Sequence, residues 1–329
     1  MILNMLANLS TSLKTRKILL SGVKPTGRPH IGNYFGAMKQ FVDLQDGYEC
    51  LFMIADYHAL NFIQNMEEMH DNIVNLTLDY LAIGLDPKIS VIFKQSDVSP
   101  HTELAWIFDT ITTMPYLMRA HAFKDAEAKD KEINVGTFNY PMLMAADILL
   151  YDTDVVPVGQ DQKQHVEIAR DTAEKFNRIF GDTFQLPEPL ILAQVAIVPG
   201  IDGRKMSKSY GNTIGLFATD EEITKAVMSI VTDSSGERPE NVYAIHSLVR
   251  NKEYLDNLYT EKKGQYKELK EVLVEDLKKF ISPMRERRQA LEKDKRTVFE
   301  VLQVGGKVAR ERAEKKMEEV REKVGLTIK

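Results

Sequence analysis

Cysteine is almost absent from this chain, and so are the patterns typical of secreted, metal-rich or membrane proteins. Cys50 is the only cysteine, so no disulfide can form within the chain and a cysteine-rich zinc or iron–sulfur site is excluded. The seven histidines form no HExxH pair and no close cluster, so we expect no structural metal. No apolar run approaches the ~20 residues that a membrane-spanning helix requires.

The composition is that of an ordinary globular chain, but its charge is unevenly distributed. Of 329 residues, 43% are hydrophobic and 28% are charged, and the net charge is −5. At this length we expect two domains and a substantial core. Residues 285–329 carry 14 Lys and Arg against 9 Asp and Glu. This basic segment could contact nucleic-acid phosphates, or it could be a solvent-exposed helix of alternating charges.

The opening sequence MILNMLANLSTSLKTRK contains no acidic side chain. It lacks the basic start of a secretory signal, and it has fewer arginines than a transit peptide usually carries. We therefore expect residues 1–15 to be an N-terminal extension outside the fold. For the same reasons, we expect the protein to be cytoplasmic.

Short apolar runs of strand length alternate with helical patterns as far as about residue 198. This alternation predicts an α/β fold, with a parallel sheet wrapped by helices over residues 16–213 and a helical insertion around 100–145. In such a sheet, ligands bind at the carboxyl ends of the strands. We predict strands at 18–23, 50–56, 89–95, 154–158 and 194–198, and helices at 67–85, after Ser99, at 141–151 and at 161–180.

Beyond about residue 214 the strand patterns stop and charge-rich helical patterns continue. We therefore expect residues 214–329 to form an all-helical second domain. Thr219 and Glu222 have the spacing of a capping box, which predicts the start of a helix. The segments SSGERP at 234–239 and VGGK at 304–307 contain helix-breaking residues, so we expect them to interrupt the helices.

The sequence KPTGRPHIGNYFG at 24–36 places two prolines and three glycines between a predicted strand and a predicted helix. Apolar residues at helical spacing put the start of that helix near Gly32. A strand, a glycine-rich turn and a helix N-terminus often bind a phosphate, because free N–H groups and the helix dipole face the anion. A tight strand-to-helix connection without a ligand is the alternative explanation.

A second candidate segment is GRKMSKS at 203–209, which contains three cations and two serines. Lysine is a mobile point charge on a long stem, so Lys205 and Lys208 could follow a phosphate whose charge shifts during a reaction. Basic loops that contain serine are common on their own. Segment 203–209 is a stronger candidate than such a loop alone, because it follows the glycine-rich turn by roughly 170 residues in the same α/β pattern.

The segments PHIGN at 29–33 and KMSKS at 205–209 resemble the two signature motifs of class I aminoacyl-tRNA synthetases. From Ile18 onward the chain resembles the bacterial-type tryptophanyl-tRNA synthetases, with matches at SGVKPTGRPHIGNYFGA, YPMLMAADILLYDTDVVPVGQDQKQHVE, KMSKS and VTDSSG. The resemblance implies a doubly wound, Rossmann-like catalytic domain of the HUP type and a helical tRNA-binding domain. It also implies a homodimer that activates L-tryptophan with ATP and transfers it to tRNA(Trp).

The resemblance further implies which residues bind ATP. Lys124, Lys205 and Lys208 would act in catalysis by stabilising charge on the phosphates, which would also hold Mg²⁺. Without the resemblance, Asp161 could be a helix cap and Lys124 a surface lysine. Lys24 departs from the family, which often has glutamine there. The expected ATP contacts are Lys24, Pro25, Thr26, His30, Gly32, Asn33, Gly159, Gln160, Asp161, Gln162, Ile197, Lys205, Met206, Ser207, Lys208 and Ser209.

Asp147 is the only charged residue between Pro141 and Tyr151, in an otherwise apolar helical pattern. A buried carboxylate is costly unless donors surround it, and a backbone N–H or an arginine could be its structural partner. The indole N–H only donates and a carboxylate only accepts, so tryptophan is the other candidate partner. The residues expected around tryptophan are Asp147, Met144, His58, Gly22, Val156 and Val158, with ordinary core packing as the alternative for the valines.

Three other functions stay open at this point. A tyrosyl-tRNA synthetase shares the fold and both motifs, but a phenol both donates and accepts, so it would need more than one carboxylate as partner. A small-molecule nucleotidylyltransferase shares the first motif but usually lacks a long, basic helical domain. A non-catalytic RNA-binding relative would not need the lysines or Gly32 and Asn33 to be intact.

Overall fold

The computed structural model describes residues 16–120, 123–124, 133–159, 163–191, 198–232 and 238–328. Within these residues one parallel sheet contains β1 Ile18–Val23, β2 Glu49–Ile54, β3 Ser90–Lys94, β4 Val155–Val158 and β5 Glu188–Ile191. The strand order is β3-β2-β1-β4-β5, which is the order of a doubly wound sheet whose direction of winding reverses between β1 and β4. The predicted α/β fold class is confirmed.

Helices cover the sheet and then continue without strands along the rest of the described chain. In the sheet region they are α1 Ile31–Asn33, α2 Lys39–Leu44, α3 Asp56–Ala59, α4 Met66–Ile83, α5 Pro100–Ile111, α6 Met114–Leu117, α7 Val135–Leu149 and α8 Lys163–Phe180. A π-helical turn, Tyr34–Met38, joins α1 to α2. The C-terminal helices are α9 Asp220–Met228, α10 Glu240–His246, α11 Lys252–Glu261, α12 Tyr266–Lys293 and α13 Arg296–Lys323. The predicted all-helical C-terminal region is confirmed, including the capping box of Thr219 and Glu222.

Alternate residues of the strands supply two separate cores. Leu51 and Phe93 belong to the core formed with α5, α7 and α8, whereas Phe52 and Ile92 belong to the core formed with α4 and the C-terminal helices. Successive side chains of a strand point to opposite faces of the sheet. Because both faces are covered, β2 is buried at every position, and this explains why the strands read as continuous apolar runs.

The fifth strand was predicted at the wrong place in the sequence. Residues 192–197, which include most of the predicted strand 194–198, lie outside the described residues, and Val198 is not in a strand. The strand that pairs with β4 is β5, whose sequence EPLI contains a proline and has exposed residues at both ends. An edge strand needs no continuous apolar run and tolerates proline, so its signal in the sequence is weak.

The last helix, α13, packs against the edge strand β3. A Cβ atom at Gly305 would overlap the carbonyl oxygen of Ile92, so the helix backbone touches the strand backbone directly. Only glycine permits such a close approach. The predicted interruption at 304–307 is therefore wrong, because α13 runs unbroken through these residues and its glycines allow close packing. The other predicted interruption, at 234–239, lies mostly outside the described residues.

Several basic residues of segment 285–329 form ion pairs within the fold. Arg288 of α12 is 2% exposed and donates to Asp79 of α4 at 2.6 Å. Arg321 of α13 forms two hydrogen bonds with Glu103 of α5, at 2.7 and 2.5 Å. Neither explanation offered by the sequence, a phosphate contact or a solvated face, fits these residues. They join the C-terminal helices to the helices that cover the sheet.

We predict that Gly305→Ala lowers the free energy of unfolding by about 1–3 kcal/mol, which is typical of overpacking. The new methyl group would collide with Ile92, although alanine favours a helix by about 1 kcal/mol over glycine. Urea unfolding followed by circular dichroism measures the change. Gly36→Ala is the control, because no atom lies within 4 Å of a Cβ at Gly36. Equal stability of the two variants would contradict this account.

Candidate active site

The two candidate segments lie where the sheet changes its direction of winding. β1 and β4 are neighbours in the sheet, and β1 leads directly into the turn at 24–30 while β4 leads into Gly159. The crevice outside the carboxyl ends of such a strand pair is the usual ligand site of a doubly wound sheet. The fold therefore places the glycine-rich turn at the position where a nucleotide is expected.

His30 caps the helix that follows the glycine-rich turn. Its Nδ1 accepts a hydrogen bond from the N–H of Asn33 at 3.2 Å, and Oδ1 of Asn33 accepts one from the N–H of His30 at 3.1 Å. Burial, with a smaller contribution from Lys208, lowers the pKa of His30 to about 4. The imidazole is therefore neutral, and because Nδ1 accepts, Nε2 carries the proton and can donate to a phosphate oxygen.

The KMSKS loop lies directly against the glycine-rich turn. Residues 29–31 and 214–216 pair in antiparallel fashion through two backbone hydrogen bonds of 3.0 and 3.1 Å. The Nζ of Lys208 donates to the carbonyl oxygen of Thr26 at 2.8 Å. The structure thus brings together two segments that are separated by most of the sheet domain in the sequence, and it holds a cation at the start of the turn.

Asn212, which sequence reasoning missed, determines the shape of the KMSKS loop. It is 2% exposed, and its Nδ2 donates to Oδ1 of Asp202 at 2.7 Å and to the carbonyl oxygen of Lys205 at 3.2 Å. Its Oδ1 accepts from the N–H of Ser207 at 2.8 Å. In the sequence this residue resembles an ordinary turn asparagine. In the structure it holds the loop so that the side chains of Lys205 and Ser209 remain exposed.

Met206 is the buried anchor of the same loop. It is 4% exposed, and its Cβ would lie 3.5 Å from a Cβ placed at Gly32. That hypothetical Cβ at Gly32 would also lie 2.9 Å from Nδ1 of His30, which is too close for a real side chain. Glycine at position 32 therefore allows both the capping histidine and the KMSKS loop to approach the helix N-terminus.

Asp147 lies buried among donors rather than alone. Only 2% of it is exposed, and its Oδ2 lies 2.8 Å from Nε2 of His58. Its Oδ1 accepts from Nε2 of Gln95 at 2.7 Å and lies 2.7 Å from Nδ1 of His101. Burial raises the pKa of the Asp147 carboxyl, but His101 and then His58 lower it by more, so the net pKa is lowered. The carboxylate is therefore ionised at neutral pH.

Gln95 and His101 were not singled out in the sequence. Gln95 is fully buried and directly follows β3, so a polar residue at the carboxyl end of a buried strand was the available signal. Its Oε1 also accepts from the N–H of Tyr57, which fixes the amide orientation that donates to Asp147. His101 lies in the first turn of α5 and gave no signal of its own.

The other residues expected around tryptophan lie near the same end of the sheet. Gly22 is the second-last residue of β1, His58 is in the short helix after β2, and Val158 ends β4. Val156 and Val158 are 4% and 3% exposed. Met144 is half-buried on α7, three residues before Asp147, and packs against the core.

The remaining predicted site residues are less closely associated with the glycine-rich turn, the KMSKS loop and Asp147. Lys24 is exposed and its Nζ lies 4.6 Å from the centre of the Phe62 ring, while Pro25 is buried. Lys124 is exposed, and within the described residues no hydrogen bond or ion pair joins its side chain to the other candidates. The predicted residues outside the described part of the chain are Gln160, Asp161, Gln162 and Ile197.

Two further searches covered only the described residues. No group of three or more His, Cys, Asp or Glu side chains among them could hold a metal ion. Of the helices found there, none has both the length and the apolar character that crossing a membrane would require.

Residues 12–300 match the family described as tRNA synthetases class I (W and Y). The tryptophan–tRNA ligase of Fusobacterium nucleatum is 49% identical over 316 residues, which cover 93% of this chain and 97% of that protein. The tryptophan–tRNA ligase of Rhodopirellula baltica is 44% identical over 317 residues, which cover 94% of this chain and 99% of that protein. The crystal structure of tryptophanyl-tRNA synthetase from Campylobacter jejuni, complexed with ADP and tryptophan, has a TM-score of 0.88 at 42% identity and covers 94% of this chain and 99% of that chain. The chain therefore belongs to the class I tRNA synthetases of the tryptophan and tyrosine family.

Proposed function

We propose that this protein is an ATP-dependent tryptophan–tRNA ligase, which activates L-tryptophan to tryptophanyl-adenylate and transfers it to tRNA(Trp). The observation that carries the proposal is the buried, ionised Asp147 near the carboxyl edge of the sheet, where the KMSKS loop lies against the glycine-rich turn. A group that only accepts suits the indole N–H, which only donates. The names of the similar proteins support the same activity.

ATP would bind across the turn that follows β1. The free N–H groups at the start of α1 and Nε2–H of His30 would donate to phosphate oxygens. Lys208, already at the turn, and Lys205, which is exposed, would approach from the opposite side. The other expected ATP contacts would complete the site, those from Gly159 to Gln162 on the ribose and adenine side. Lys24 would add a positive charge at the rim.

The first step would be attack by a carboxylate oxygen of tryptophan on the α-phosphorus of ATP. A P–O bond forms to the α-phosphorus, the bond to the β-phosphate oxygen breaks, and pyrophosphate leaves with the electron pair. The amino-acid carboxylate is already ionised at neutral pH, so no general base is needed. Alignment and stabilisation of the phosphate charge by Lys124, Lys205 and Lys208 would therefore supply most of the catalysis.

Mg²⁺ would be bound mainly by the phosphates of ATP. In nucleotide sites this ion commonly keeps phosphate and water ligands and takes few from the protein. The donor set of the described residues fits this arrangement, because His30, Lys205 and Lys208 are donors or cations and none of them offers an anionic oxygen to the metal. When bound, the ion would neutralise part of the triphosphate charge.

We assign residues 16–213 to the catalytic domain, with the insertion at about 100–145, and residues 214–329 to the tRNA-binding domain. On the helical region the exposed ring of Tyr254 lies 5.1 Å from the guanidinium carbon of the half-buried Arg250, and an exposed aromatic ring beside a cation suits RNA. Protein synthesis takes place in the cytoplasm, and we place the protein there. Residues 1–15 lie outside the described chain, and we retain them as an N-terminal extension.

We also propose that the protein is a homodimer that associates through the insertion. Trp106, Met114 and Val135 are 70%, 66% and 81% exposed, and they lie on three helices in sequence, α5, α6 and α7. Large apolar side chains exposed on one region of a chain commonly mark a protein interface. A second copy of the chain would cover them.

The test of the proposed function is ATP–pyrophosphate exchange measured with each of the twenty amino acids. We expect tryptophan to support exchange at least about 10³-fold better than tyrosine in kcat/KM, since a site built for one hydrogen-bonding group rejects an ill-matched one by large factors. Preference for tyrosine would identify a tyrosyl-tRNA synthetase. Exchange without charging of tRNA would favour a nucleotidylyltransferase, and no exchange at all would favour a non-catalytic relative.

Replacing Lys208 with alanine removes a cation that contacts the phosphate-binding turn. We expect the rate of pyrophosphate exchange to fall roughly 10²- to 10³-fold, as on loss of a transition-state donor, while tryptophan affinity changes less than about twofold. Exchange kinetics and equilibrium dialysis measure the two effects. The control is Lys88→Ala, an exposed lysine that precedes β3 at the opposite end of the sheet. Near-normal exchange by Lys208→Ala would refute the assigned role.

Trp106 is 70% exposed within the proposed interface, so its substitution tests the dimer. We expect Trp106→Glu to shift a micromolar solution from dimer to monomer, because a charge placed at an apolar interface loses its water. Sedimentation equilibrium measures the mass. Phe299→Glu, at an aromatic residue that is 50% exposed on α13, is the matched control and should remain dimeric. A monomeric native protein would rule out the proposed interface.

A further inference from the structure

The partners of Asp147 are distributed unequally between its two oxygens. Oδ1 lies 2.7 Å from both Gln95 Nε2 and His101 Nδ1. Within the described chain, Oδ2 has one such partner, His58 Nε2 at 2.8 Å. Each carboxylate oxygen can accept about two hydrogen bonds. Oδ2 therefore has an acceptor position to spare, whereas two polar groups already lie against Oδ1.

His101 is the most deeply buried of these partners. It is fully buried and stacks on Phe93 with an angle of 19° between the rings, and its Nε2 lies 2.8 Å from the hydroxyl of Tyr151. Tyr151 is 3% exposed. Burial, and secondarily the charge of Asp147, raises the pKa of the Tyr151 phenol well above its ordinary value, so the hydroxyl keeps its proton.

The chemistry of these three groups determines where the protons lie. A carboxylate offers only lone pairs, so the Nδ1 of His101, 2.7 Å from Asp147, must carry a proton. Nε2 is then free to accept from the Tyr151 hydroxyl, and that hydrogen bond fixes the tautomer of the ring. The contact between Nδ1 and Oδ1 is short without having the geometry of a full hydrogen bond, so the protonated Nδ1 attracts Oδ1 mainly through electrostatics.

We propose that His101 and Tyr151 are positioning residues for amino-acid selection. Tyr151 orients His101, His101 and Gln95 hold Oδ1 of Asp147, and Oδ2 is left to accept the indole N–H. Neither His101 nor Tyr151 contacts the substrate in this arrangement, and both act through the carboxylate. The inference rests on the proposed function and extends it to residues behind the binding surface.

The test compares tryptophan with 3-benzothienyl-alanine, in which sulfur replaces the indole N–H and the bicyclic shape is retained. In Tyr151→Phe, we expect the KM for tryptophan in pyrophosphate exchange to rise about five- to tenfold, which corresponds to the loss of roughly one hydrogen bond, with little change in kcat. The KM for the analogue should change by less than about twofold, because it has no N–H for Asp147 to accept.

Equal increases in KM for both substrates would show a merely structural role and overturn the proposal. Tyr80→Phe is the matched control, because Tyr80 is fully buried and its hydroxyl has no hydrogen-bond partner within the described residues. It should leave both KM values unchanged. Native protein that shows no exchange with tryptophan would instead refute the proposed function.

A measurement on the native protein keeps the proposal testable if Tyr151→Phe does not fold. Long-range ¹H–¹⁵N correlation of histidine side chains identifies which ring nitrogen carries the proton. We expect His101 to be protonated at Nδ1 with Nε2 as an acceptor, with its signals assigned by their loss in His101→Gln. A ring protonated only at Nε2 would overturn the proposal, because the lone pair of Nδ1 would then repel Oδ1 of Asp147 instead of holding it.

Discussion

A carboxylate that is kept away from water must be surrounded by donors, and this requirement organises the carboxyl end of the sheet. Asp147 draws its partners from α3, from the residue after β3 and from the first turn of α5. Asp56, which is 6% exposed, likewise accepts hydrogen bonds from the backbone N–H and the hydroxyl of Ser96. Gln95 connects the two groups through Tyr57 and Asp147. The polar network therefore orients several elements at once.

The glycine-rich turn and the KMSKS loop are held together by backbone contacts instead of buried side-chain charges. The pairing of residues 29–31 with 214–216 is made by backbone atoms, so many side chains would permit it. Its position is reinforced from the C-terminal helices, where Phe280 of α12 stacks on Phe35 with ring centres 5.2 Å apart. The helix that follows the glycine-rich turn is therefore packed between the sheet and the helical region. A shift of α12 would therefore displace the helix that follows the glycine-rich turn.

The sequence predicted the parts of this fold that depend on burial and on special backbone geometry. Four strands were identified because both faces of the sheet are covered, and the glycine-rich turn was identified because Gly32 must lack a side chain. β5 was missed because an edge strand needs little apolar character. The glycines at 305–306 were misread because their packing partner, β3, is some 200 residues away in the sequence.

The candidate site was predictable to a similar extent. Asp147 was conspicuous as the single charge in an apolar helix, whereas its partners Gln95 and His101 are ordinary polar residues in the sequence. Only the fold brings them within 2.7 Å of the carboxylate. Asn212 was missed for the same reason, since its three hydrogen bonds reach residues of the loop whose shape they create. Networks of this kind are set by tertiary geometry.

The close seating of α13 on β3 has a consequence for how the chain acquires its shape during synthesis. β3 is synthesised first, and the helix that packs against this edge strand follows it by some 200 residues. Until then the edge offers unpaired N–H and C=O groups to any passing strand. During the synthesis of these intervening residues the nascent chain would therefore carry an unpaired strand edge, a feature that favours pairing with other chains.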